Sequence, residues 1–128
     1  MGLSKLDQIS VTTTGSAGSA SGNATSSRMA MGEIVKIYVN FNASAPNTTD
    51  ITIETATAPT ETILVDANSC TDAWFYPARA HALNTDGSAI NSWSRVWVED
   101  YVKVSLAQCD ALTAAVVVDI WYNYDGRE

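Results

Sequence analysis

Between Trp93 and Leu106 the chain alternates. Val96, Val98, Val102, Val104 and Leu106 occupy one parity, interrupted at Asp100, while Arg95, Trp97, Glu99, Tyr101, Lys103 and Ser105 occupy the other. Successive side chains of a strand point to opposite faces, so this spacing predicts a long strand with one face on a core. The other face is amphipathic, with two large rings among three charges. Asp100 fits the pattern only as a bulge, as a buried carboxylate paired with an arginine such as Arg79 or Arg95, or as a break in register.

The same period recurs along the chain. Ile9, Val11 and Thr13 predict a first, β-branched strand. In Glu33–Asn42, Val35, Ile37, Val39 and Phe41 share a face opposite Lys36, Tyr38 and Asn40. Ile51 and Ile53, then Ile63 and Val65, mark two shorter strands, the first joined to its predecessor by a Ser-Pro-Asn turn. Trp74–Leu83 opens on three consecutive aromatics, and Pro77 places it at an edge or a bulge because proline cannot donate to a ladder. Asn84–Gly87 is a turn signal. Val116, Val118, Ile120 and Tyr122 define the last strand. No segment has helical periodicity. The pattern predicts an all-β fold: a single antiparallel β-sandwich of seven or eight strands, jelly-roll-like or immunoglobulin-like. Gly15–Ser27 is small and polar, and reads as a long surface loop or as the linker of an arm that reaches a neighbouring subunit. The organisation expected is an N-terminal strand or arm with a Gly/Ser-rich loop over 1–27, followed by the sandwich domain over 28–128.

Composition narrows the function more than the fold. At 128 residues the chain is long enough to bury a core without a metal or disulfide. Its net charge of −7 disfavours nucleic acid and anionic membranes, both of which select basic patches. No apolar run approaches the roughly 20 residues of a membrane span, and the first residues lack a secretory pattern. Cys70 and Cys109 are therefore expected as reduced thiols without metal-site spacing. The sequons at Asn23, Asn42 and Asn47 read as Asn/Thr-rich loop chemistry.

Catalytic and cofactor motifs are missing from the sequence. His81 is the only histidine, and no nucleophile elbow, zinc helix or phosphate loop accompanies it. Glu99 and Asp100 are strand neighbours and point apart, so they make no acid–base couple unless the strand bulges. Asp66, Asn68 and Asp72 have calcium-like spacing but equally well serve turns. The expectation is a protein that is not an enzyme, with no catalytic residue, cofactor or metal. Trp74, Trp93, Trp97, Tyr101 and Trp121 could form a sugar-stacking platform, yet the row Arg95, Trp97, Glu99, Tyr101 and Lys103 fits a subunit or partner interface better, and with it a homo-oligomer.

Six segments, Gly32–Val39, Thr48–Ala56, Glu61–Val65, Trp74–Leu83, Val98–Asp110 and Val116–Tyr122, occur in an order that resembles a family of tailed-bacteriophage capsid decoration (cement, head-stabilising) proteins. GEIVKIYV is followed by TTDITIETA, ETILV, WFYPARAHAL, VEDYVKVSLAQCD and VVVDIWY; Asp110-Ala111-Leu112 departs from the Gly-rich turn of that family. The resemblance implies a non-enzymatic virion protein. It would be made in the host cytoplasm and bind the major capsid protein on the outer capsid surface as an oligomer, trimers being favoured. The alternatives are a carbohydrate-binding sandwich of a fibre or adhesin, and a phage tail or adaptor subunit.

Overall fold

The computed structural model describes residues 2–80 and 93–124, which form twelve strands and no helix. In chain order these are β1 (Gly2–Lys5), β2 (Ile9–Val11), β3 (Ala20–Thr25), β4 (Ala30–Phe41), β5 (Asp50–Thr55), β6 (Thr62–Asp66), β7 (Ala73–Phe75), β8 (Ala78–Ala80), β9 (Trp93–Arg95), β10 (Trp97–Asp100), β11 (Val102–Cys109) and β12 (Val116–Tyr124). His81 and the Asn84–Gly87 turn lie outside the described residues.

All pairings are antiparallel. One sheet places β12 at its centre, flanked by β4 on one side and by β1 and β2 on the other. β10 and β7 line the far edge of β4, against residues 30–33 and 37–39 respectively. The second sheet runs β3-β11-β5-β6. Because β1 and β2 pair along one strand, and β7 and β10 along another, each pair acts as one interrupted strand. Beside the separate two-stranded β8–β9 ribbon, eight strands, single or interrupted, then remain. In chain order they form sheets 1-8-3-6 and 2-7-4-5, the double Greek key of a jelly roll. The β-sandwich expected from periodicity is thus present, and strand order decides for the jelly roll over the immunoglobulin-like alternative.

The core follows the alternation. Ile37, Val39, Val116, Val118 and Ile120 from one sheet meet Ile51, Ile53, Val102, Val104 and Leu106 from the other, all at most 3% exposed. Each such side chain contributes about 1.5–3 kcal/mol of burial. Both thiols are free, Cys109 in the core and Cys70 at its margin.

Three local readings change. First, Trp93–Leu106 is not one strand of one sheet. β9 pairs with β8 in a separate ribbon, β10 joins the first sheet, and β11 is central to the second. Second, Val35 is not on the core face. The ladder with β12 shifts register there, Trp121 facing Lys36 and Tyr122 facing Ile34, so Val35 is the extra residue of a β-bulge and Ile34 takes the buried place. Third, the Gly/Ser-rich stretch contains a strand, β3, which pairs with β11. Its small residues permit close approach, since a Cβ on Gly22 would lie 2.3 Å from the Thr12 carbonyl oxygen. The segment before it is held by the body of the fold: Leu6, Ile9 and Val11 are buried, and the Leu6 N–H donates to the Ile120 carbonyl at 2.9 Å.

Candidate protein-docking groove

The point where the chain leaves one sheet for the other is Asp100–Tyr101. A strand that switches sheets carries its side chains around the edge of the sandwich. Val98 and Val102, on either side of the switch, remain in the core, whereas Asp100 between them faces the β5–β6 connection. There its carboxylate accepts from the Thr57 N–H at 2.9 Å, the Thr57 hydroxyl at 3.0 Å and the Tyr101 N–H at 2.6 Å. The Arg95 ion pair expected for Asp100 is not formed among the described residues; the Arg79 side chain lies outside them. Desolvation pushes the Asp100 carboxyl up, but the Thr57 and Tyr101 donors outweigh it and hold the group below the usual carboxylate range.

Beside this corner lies an open groove of about 560 Å³. Its walls come from four parts of the chain: Met29 before β4, Thr55–Glu61 around the β5–β6 connection, Trp97 and Glu99 on β10, and Asp100–Tyr101 at the switch. Pro59, which follows a cis peptide bond, is one wall. Met29, Trp97 and Tyr101 are 40%, 44% and 42% exposed, a cluster of large apolar groups left in contact with water. Among the described residues the polar lining carries Glu61, Glu99 and Asp100 and no lysine or arginine.

The five residues singled out by periodicity therefore separate. Trp97, Glu99 and Tyr101 line the groove. Arg95 is exposed in the β8–β9 ribbon, and Lys103 sits on the four-stranded sheet opposite Glu54 and Thr25. Met29, Thr57 and Pro59 were missed. They are remote in sequence from Trp97 and carry no periodic signal, and only the strand pairing brings them together.

A second aromatic cluster covers the outer face of the first sheet. Tyr38 and Trp74 are cross-strand partners with centroids 4.8 Å apart, and Trp74 lies 5.3 Å from Trp121. The Lys36 ammonium stands 5.1 Å from both Trp74 and Trp121, and Lys5 stands 5.3 Å from Trp121 while pairing with Asp119 at 3.1 Å. Sequence reading named Trp74 and Trp121 but not Tyr38, which the β4–β7 register supplies.

The loop with calcium-like spacing is tied to neighbouring strands. Asp72 accepts from the Phe41 N–H at 2.7 Å, and the Asn68 N–H donates to Asp50 at 2.9 Å. Asn42, one of the sequon asparagines, accepts from the Ser44 N–H at 2.9 Å and donates to the Thr113 carbonyl at 3.1 Å. Among the described residues no three His, Cys, Asp or Glu side chains gather as a metal site, and no helix is long and apolar enough to cross a membrane. Comparison with protein-family models, with curated proteins and with solved structures found no match to this chain.

Proposed function

We propose that this chain is a structural, non-enzymatic subunit of a tailed-phage virion. It decorates and stabilises the outer surface of the major capsid protein shell as a homo-oligomer, and the groove at the sheet switch is a protein-docking site of that assembly. The observation that carries a docking role is the concentration of exposed Met29, Trp97 and Tyr101 around one concavity. Interface centres are enriched in such aromatic and Met side chains, and energy concentrates on a few of them. The virion setting rests on the resemblance of the six strand segments and on their order. A symmetric shell repeats each weak contact many times, which multiplies its effect.

The test is co-sedimentation with expanded capsids assembled from the accompanying major capsid protein. The wild-type chain is expected to pellet saturably, and Trp97→Ala to bind about tenfold or more weakly, as a central aromatic anchor does. Wild-type protein that stays in the supernatant would overturn the reading.

The exposed Trp74, set beside Tyr38 and Trp121, favours a second reading, a carbohydrate-binding module. On a glycan array it predicts sugar binding that Trp74→Ala abolishes and Trp97→Ala spares.

A further inference from the structure

The β8–β9 ribbon stands outside both sheets. It interrupts the strand formed by β7 and β10, and among the described residues pairs only within itself, Ala78 with Arg95 and Ala80 with Trp93. Every residue of β9 is exposed, Trp93 at 68%, and Tyr76 just before β8 is exposed at 69%. A two-stranded ribbon is marginal alone in water. It presents one large ring and the Arg95 guanidinium side by side on its last strand.

Two residues further along begins the groove, and its character is the reverse. It offers aromatic faces at Trp97 and Tyr101, and among the described residues its charged lining is acidic. A guanidinium over an aromatic face and beside a carboxylate gains from both, and arginine does this better than lysine because its planar group stacks. Asp100 is tied into the corner by three donors, which fixes one negative charge in place, while exposed Glu99 is available at the rim. Arg95 has no ion pair among the described residues. The ribbon and the groove are thus an exposed cationic, aromatic projection and an exposed anionic, aromatic concavity on one chain.

We infer that the occupant of the groove is the β8–β9 ribbon of a second copy of this chain, with Arg95 of one copy set against Glu99 of the next and Trp93 packed toward Trp97 and Tyr101. This rests on the docking role proposed for the groove and assigns its partner in self-assembly. Every copy carries both halves of the contact, so one interface suffices to build the homo-oligomer.

A charge exchange tests it. Light scattering after size exclusion, at low salt, is expected to show the wild-type chain as an oligomer at micromolar concentration. Arg95→Glu and Glu99→Arg, both at exposed positions, are each expected to weaken association about tenfold or more, because each sets like charges together. Combining both changes in one chain is expected to restore association to within about threefold of wild type, since opposite charges face each other again at every contact. A monomeric wild type, single variants that associate normally, or a double variant that fails to recover would each overturn the inference. The docking role itself is read separately. If Trp97→Ala loses capsid binding while the exchange fails, the groove docks the capsid and not a second copy; if Trp97→Ala changes neither capsid binding nor self-association, the docking role falls as well.

Discussion

Asp100 shows how one residue can contradict a pattern for a structural reason. Its parity is that of Val98 and Val102, yet its carboxylate serves as a three-donor acceptor at the corner. Asp100→Ala removes that acceptor and is expected to destabilise the fold by about 1–3 kcal/mol, measured by urea unfolding. The pH dependence has a definite sign. A carboxyl held below its unfolded value binds fewer protons in the folded state, so its stabilisation is present above the ordinary value of 3.8 and fades as pH falls through the folded value. Asp7 behaves alike: burial raises it, but donors from Ser27 and Arg28 prevail and lower it. Unfolding midpoints followed downward from pH 6 should therefore drop below about pH 4, and the gap between wild type and Asp100→Ala should narrow over the same window. An unchanged gap at low pH would mean that the carboxylate charge is not what holds Thr57.

At the scale of elements, what the sequence displayed was the long apolar strands. β4, β11 and β12 present enough alternating Val and Ile to be found by period alone, except where the bulge at Val35 moves the parity by one. β3 carried no such signal, because ASGNAT is small and polar. Its identity as a strand depends on β11 offering a ladder and on Gly22 lying against Thr12 and Thr13, just after β2. Gly22→Ala is expected to lower stability by roughly 1–3 kcal/mol, since its Cβ would meet backbone and not a yielding side chain. A Tm within a degree of wild type would show that the β2–β3 contact relaxes freely. β7 is only three residues long and is clamped to β4 by the Tyr38–Trp74 ring contact as well as by its ladder. Trp74→Ala is expected to speed amide exchange in Ala73–Phe75 before it affects β11, read by hydrogen-exchange mass spectrometry.

For the whole molecule, the two inner rows make one core, so truncations in either sheet should act on a single transition. Ile53→Ala and Ile37→Ala, one from each sheet, are each expected to cost about 2–5 kcal/mol and to leave one cooperative unfolding step. Two separated transitions would mean that the sheets do not depend on each other. By itself the sequence determined the class of the fold: a period of two repeated along the chain commits side chains to two faces and demands a second sheet to cover the apolar one. It also marked Trp97, Glu99 and Tyr101, because polar and aromatic residues on the outward parity are visible without coordinates. The tertiary structure alone decided that their strand divides between two sheets, that Arg95 leaves on a ribbon and Lys103 on the opposite sheet, and that Met29, Thr57 and Pro59 complete the groove. The physical reason is that alternation encodes only in and out. Which strands become neighbours, and where one turns a corner, is set by long-range hydrogen-bond pairing and by the fit of the two inner faces, neither of which leaves a local mark on the chain.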